Sequence, residues 1–176
     1  MGQKIRTDKM EKLNDCILPK PKSIEWKEGY WQKDTNSEII IPGTASNLQG
    51  LLDSQAKIIN KAFDKTEIKN NEEYHIDIDK NRIEISAGTE KGAFNAVQTL
   101  SQLLKLNDEK IPCGKIHDWP DNEMRGYHLD CKSGMPELEG LYKFADRLAE
   151  WKINTLLIEY EDRFPYKFAP EITLPG

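Results

Sequence analysis

The spacing of apolar positions changes several times along the chain, and each change predicts a new element. Residues 1–19 are polar and mixed in charge, with no steady period, and Pro19 and Pro21 close the stretch, so a flexible or extended lead-in is expected there. Ile24, Trp26, Tyr30 and Trp31 around Gly29 suit a short strand and turn, and Ser37 to Pro42 reads as a buried strand ended by Pro42 and Gly43. From Ser46 the period becomes helical. Ser46 with Gln49 offers a capping box, and Leu48, Leu51, Leu52, Ile59, Ala62 and Phe63 fall on one face, with Lys57, Asn60 and Lys61 outward. Tyr74, Ile76 and Ile78 then alternate with polar residues, as do Ile83 and Ile85 after Lys80 and Asn81, which predicts a β-hairpin with one wet face. Gly88 breaks that run. Thr89 can cap a second helix whose stripe is Ala93, Ala96, Val97, Leu100, Leu103 and Leu104. The expected product over residues 20–120 is an α+β domain in which two helices cover a small sheet.

Beyond Pro120 the pattern is strand, helix, strand. Arg125 to Lys132 reads as the first strand, Pro136 to Lys152 as a helix striped by Leu138, Leu141, Tyr142, Ala145, Leu148 and Ala149, and Thr155 to Tyr160 as a buried strand. Such βαβ units belong to parallel sheets. One unit cannot close a barrel or a doubly wound sheet, so residues 121–176 are expected to be the start of a truncated second domain.

Composition narrows the function. The 176 residues carry 25 basic and 30 acidic side chains, a net charge of −5 that disfavours a phosphate-binding surface, so no nucleic-acid partner is expected. No stretch approaches the roughly 18 uninterrupted apolar residues of a bilayer span, and no apolar signal region opens the chain, so neither a membrane partner nor an uncleaved signal peptide is expected. Cys16, Cys113 and Cys131 are odd in number and far apart, which gives no disulfide framework and leaves the compartment open. Cys113 with His117, and His128 with Cys131, are loose pairs without the spacing of a structural zinc site, so no metal and no other cofactor is expected. Trp26, Trp31 and Trp119 could stack on sugars if exposed, but such residues more often pack in cores.

Four strings in order carry a resemblance. ILPKPKSIEW (17–26), GAFNAVQTLSQLL (92–104), IHDWP (116–120) and RGYHLD (125–130) are together similar to the N-terminal region of glycoside hydrolase family 20, the β-N-acetylhexosaminidases. LLIEYEDRFPY (156–166) resembles the second barrel strand of that family's hexosaminidase D branch. The resemblance implies a small α+β domain ahead of a catalytic (β/α)8 barrel, of which only the first strand, helix and strand are present. It implies that Arg125 matches an arginine that hydrogen-bonds ring hydroxyls of a terminal N-acetylhexosamine, a task suited to a guanidinium fork. Asp130 at the C-terminal end of the first barrel strand, and Glu159, Glu161 and Asp162 at the end of the second, are carboxylates that could bind sugar hydroxyls. Alternation puts Glu159 and Glu161 on one face and Tyr160 and Asp162 on the other, and Asp130, Glu161 and Asp162 are the further candidate sugar-binding residues.

The family's reaction uses the substrate's own acetamido oxygen as nucleophile, with a glutamate as acid and the preceding aspartate orienting the acetamido group. That Asp-Glu pair belongs to the fourth barrel strand, so no catalytic residue is assigned in this chain and the chain alone is expected to be inactive. Ile158, Glu159 and Tyr160 replace the commoner His-Trp-His pattern, which leaves the exact sugar open. The partner implied is a glycan with a terminal N-acetylhexosamine, and self-association through residues 125–166 is expected from the incomplete barrel segment. A non-catalytic carbohydrate-binding or interaction module, or the N-terminal part of a hyaluronidase-like N-acetylglucosaminidase or an α-glucuronidase, are the alternative readings.

Overall fold

Segments whose apolar residues alternate bury them by pairing side by side in one sheet. The computed structural model describes residues 13–43, 57–63, 70–107, 110–132, 134, 136–160 and 166–172. The chain divides into two compact units, Met1–Asp121 and Asn122–Gly176.

The first unit holds strands β1 (Ser23–Gln32), β2 (Glu38–Pro42), β3 (Lys57–Lys61), β4 (Tyr74–Ile78) and β5 (Arg82–Ala87), helix α1 (Glu90–Leu106) and strand β6 (Lys110–Asp118). They form one mixed sheet in the order β1-β6-β4-β5-β2-β3. β1, β6, β4 and β5 pair antiparallel in turn, whereas β2 is parallel to both β5 and β3. Helix α1 lies against β4, β5, β2 and β6. Ala93, Ala96, Val97, Leu100 and Leu103 of its apolar stripe are fully buried with Ile39, Ile41, Ile76, Ile78, Ile83 and Ile85 of the sheet. Each buried Ile or Leu side chain contributes about 1.5–3 kcal/mol before chain entropy is counted. At its start the Thr89 hydroxyl accepts the Gly92 N–H at 3.2 Å, the N-cap expected from the sequence.

Two expectations are corrected. The helix expected from Ser46 to Phe63 is not what Lys57–Lys61 form: these residues are a strand paired in parallel with β2, Glu38 opposite Lys57 through Pro42 opposite Lys61. Ile58 and Ile59 are β-branched, and β2 beyond β5 offers an edge that satisfies their backbone groups, so non-local pairing overrides the helical period. The part of that helix over residues 44–56 lies outside the described residues. Among the described residues α1 is the long helix against the sheet, and residues 13–16 are also helical. The flexible lead-in expected over residues 1–19 is corrected for residues 13–19. Leu13 and Ile17 are buried in the core, and the Gln102 amide both accepts from Leu18 N at 2.8 Å and donates to Leu18 O at 2.7 Å. A buried side-chain amide that replaces a strand partner fixes the segment to α1. β6 is a nine-residue strand inside the sheet for which the sequence pattern gave no expectation.

β1 is longer than the short strand expected. It pairs with β6 at both ends, but the register shifts between Trp26 and Tyr30, where Gly29 has φ +106°. The bulge needs this left-handed residue, and the Gly29 position also lies close to Lys80 and the Cys113 sulfur.

The second unit contains β7 (Gly126–Asp130), α2 (Leu138–Glu150) and β8 (Thr155–Glu159), with a short 3-10 turn at Pro170–Ile172. β7 and β8 are parallel neighbours, Gly126 opposite Thr155 through Asp130 opposite Glu159. Helix α2 ends with Lys152 at φ 58°, where Lys152 N donates to Ala149 O at 2.9 Å and Ile153 N to Leu148 O at 2.9 Å. This is a Schellman closure, which turns the chain into β8.

Candidate functional site

In the second unit the ring of Tyr127 packs edge-on against Phe144 of α2, with centroids 5.0 Å apart. Alternation then sorts both strands. Tyr127, Leu129, Leu156 and Ile158 share the helix side, and Gly126, His128, Asp130, Thr155, Leu157 and Glu159 share the opposite face. At the C-terminal edge of that face the Glu159 carboxylate is held by His128 Nε2 at 2.7 Å and Lys132 Nζ at 3.1 Å. Asp130 sits beside it, its Oδ1 accepting from Lys132 N at 2.8 Å. Both carboxylates are partly or largely exposed and can accept hydrogen bonds from hydroxyl groups.

Of the residues singled out from the sequence, Asp130 lies at this edge. Arg125 does not. It precedes the first residue of β7, at the other end of a strand whose rise puts it about 16 Å from Asp130. Its Nε donates to Lys152 O at 2.9 Å and its Nη1 to Asn122 O at 2.8 Å, while Arg125 O accepts from Asn154 N at 3.0 Å. The guanidinium thereby caps the carbonyl of the left-handed Lys152 and holds the turn into β8. Glu161 and Asp162 lie outside the described residues. The structure adds His128 to the edge, and of the carboxylates expected at the end of the second strand it places Glu159 there. The parity that unites His128 with Asp130, and the register that sets Asp130 against Glu159, were the available signals.

The loose metal pairs do not come together. Cys113 and His117 are four apart on an extended strand, about 13 Å along its axis. Cys113 is buried beside Asp79 and Lys80, and burial, then the Asp79 charge, raise its thiol pKa above the ordinary value. His128 is engaged by Glu159, and Cys131 is buried. Trp31 is fully buried, and Trp26 is partly buried against the core, its Nε1 donating to Asn14 Oδ1 at 2.7 Å. Trp119 is 36% exposed and lies 4.7 Å from the His117 ring. No described helix is long and apolar enough to cross a membrane.

An α+β layer of this topology followed by a parallel βαβ unit defines a class, and comparison with known proteins narrows it. The family model of glycosyl hydrolase family 20, domain 2, matches residues 15–119, and the chain belongs to that family. The match begins within the segment that Leu13 and Ile17 anchor to the core. β-Hexosaminidase B of Pseudoalteromonas piscicida is 28% identical over 127 residues, which cover 72% of this chain and 16% of that protein. β-Hexosaminidase of Vibrio furnissii is 26% identical over 175 residues, 89% of this chain and 29% of that protein. Among solved structures, the family 20 exo-β-N-acetylglucosaminidase from Vibrio harveyi in complex with N-acetylglucosamine matches with a TM-score of 0.73 and 25% identity, covering 88% of this chain and 27% of that one. The β-N-acetylhexosaminidase from Bacteroides fragilis shares the fold at a TM-score of 0.69 and 21% identity, over 81% of this chain and 32% of that one. The chain thus spans less than a third of the length of each of these proteins.

Proposed function

We propose that this chain forms the non-catalytic α+β domain and the first strand, helix and strand of the catalytic barrel of a β-N-acetylhexosaminidase. The enzyme would release terminal N-acetylglucosamine or N-acetylgalactosamine from glycans. The observation that carries this reading is the adjacency of a family 20 domain 2, over residues 15–119, to a parallel β7-α2-β8 unit with its helix on one face. In a (β/α)8 barrel the helices lie outside, and the C-terminal strand ends form the active site. On that reading His128, Asp130, Leu157 and Glu159 are inward positions, and Asp130 and Glu159 belong to the sugar-facing edge. Arg125, at the opposite edge, serves as a strut of the βαβ unit in place of the sugar contact that the resemblance implies.

The reaction follows the substrate-assisted retaining route, in which the acetamido oxygen attacks the anomeric carbon and a carboxylic acid protonates the leaving oxygen. The acid and its orienting aspartate come from barrel strands beyond those in this chain, so the 176 residues alone do not turn over substrate. This is tested with chromogenic N-acetyl-β-glucosaminide, N-acetyl-β-galactosaminide and β-glucoside, offered to the purified chain and to the product of the whole reading frame. The expected result is hydrolysis of the two N-acetylated substrates by the longer product alone. Cleavage of the plain glucoside in preference to both, or turnover by the 176-residue chain that is lost in Asp130→Ala, would overturn the reading.

A further inference from the structure

The face of the six-stranded sheet opposite α1 carries a cross-strand row that the hydrolase reading does not use. Ser23 is opposite His117, His117 is opposite His75, and His75 is opposite Ser86, on β1, β6, β4 and β5. The two imidazoles stack with centroids 3.8 Å apart and an interplanar angle of 19°. Glu73, two residues before His75, turns its Oε1 to both: 2.7 Å from His117 Nε2 and 4.0 Å from His75 Nε2. One donor atom from each of Glu73, His75 and His117 lies within 4.8 Å of the others, the one such trio of metal-binding side chains among the described residues.

We propose that Glu73, His75 and His117 form a binding site for a borderline divalent transition-metal ion, Zn²⁺ or its congeners Ni²⁺ and Cu²⁺. Two neutral imidazoles and one carboxylate are a ligand set of three that suits zinc and leaves a fourth position for water. With bonds near 2.0–2.1 Å, tetrahedral ligands stand roughly 3.3 Å apart, so the cluster closes by opening the angle between the stacked rings. That motion is small and local. His75 is exposed and His117 half-buried, so both rings have room to turn, while their Cα atoms are fixed by register in the middle of the sheet. The ion takes the place of the hydrogen bond between His117 and Glu73.

Glu73 is held for this task from below. Its side chain is 12% exposed, its N–H donates to Asn70 O at 3.0 Å, and Gly92 of α1 packs so close that an added Cβ would lie 2.5 Å from Glu73 O. The surroundings do not repel a cation: Glu25, Asp77 and Glu84 share the face, and Lys115 is paired with Asp77 at 3.2 Å.

The site is independent of the hydrolase reading, and its test reads binding rather than turnover. The 176-residue chain is titrated with ZnCl₂ at pH 7.5 by calorimetry, with MgCl₂ and CaCl₂ as controls. The expected result is saturable Zn²⁺ binding at one site, reversed by EDTA, and no Mg²⁺ or Ca²⁺ binding. Affinity should fall at least tenfold in His75→Ala, His117→Ala and Glu73→Gln and stay unchanged in His128→Ala. The chain has three histidines, so NMR of the unsubstituted protein gives a second readout: Zn²⁺ should shift two imidazole signals and leave that of His128 in place. No saturation up to millimolar Zn²⁺, wild-type affinity in the three variants, or a shift confined to His128 would overturn the proposal.

Discussion

The Tyr74 hydroxyl donates to Asp118 Oδ2 at 2.8 Å inside the core, and it also lies 2.7 Å from the Thr99 hydroxyl of α1. Asp118 Oδ1 in turn accepts from Lys22 N at 3.3 Å, just before β1. One carboxylate therefore ties the end of β6 to β4 and to the start of β1. In Tyr74→Phe the buried Thr99 and Asp118 lose a partner, and a loss of about 1–3 kcal/mol is expected. Urea unfolding at pH 7 checks this, and a variant as stable as the parent would show that the network contributes nothing net.

The same tyrosine predicts an alkaline limb. Burial, and then the Asp118 charge, hold its phenol pKa well above the ordinary value. A folded-state pKa raised above the unfolded value of about 10 means that the native state keeps its proton when the unfolded chain has lost it. Stability from this group is complete below about pH 10 and falls above it, by about 1.4 kcal/mol per pH unit until the folded pKa is reached. Unfolding measured from pH 8 to 11 should show that limb in the parent and a shallower one in Tyr74→Phe.

Gly92→Ala should destabilise, against the ordinary helix preference. Alanine in a helix interior is favoured over glycine by roughly 1 kcal/mol. Here the new methyl would meet Glu73 O at 2.5 Å and the Ala87 Cβ at 3.2 Å. Forced repacking of that kind costs about 1–3 kcal/mol, so a net loss is expected, read from the urea midpoint. A stabilised variant would mean that α1 shifts freely on the sheet.

On the proposed reading, Arg125 and Glu159 should separate by readout in the longer hydrolase it implies. Arg125→Ala removes the donors to Lys152 O and Asn122 O and should lower the unfolding free energy by about 1–2 kcal/mol, while KM stays near the parent value. Glu159→Ala should lower kcat/KM at least tenfold with little change in stability, because its partners His128 and Lys132 are largely exposed. The reverse pattern would move the sugar contact back to Arg125.

The second unit exposes Leu138, Tyr142 and Leu157, each more than 60% accessible, and Leu157 stands on the sheet face opposite α2. Apolar strand positions left in water drive association. Sedimentation velocity of the 176-residue chain should show mass rising with concentration, and Leu157→Lys should suppress the rise. A monomer at all concentrations, with parent and variant alike, would contradict this.

Local pattern alone determined much of this molecule. The Tyr74–Ile78 and Arg82–Ala87 hairpin, the Thr89-capped helix and the strand, helix, strand order after Pro120 were legible because each is specified by the period of its own residues or by a cap three positions away. The family strings were legible for the same reason, being contiguous. Tertiary structure alone decided that Lys57–Lys61 extend along β2, that residues 13–19 dock on Gln102, and that Lys110–Asp118 form a central strand. Each depends on backbone groups that find partners far away in sequence, a competition that a local window does not contain. The same holds for the chemistry. His75 and His117 are 42 positions apart and meet only through antiparallel register, and Arg125 is separated from Asp130 by the length of an extended strand, although the two stand five positions apart in the chain.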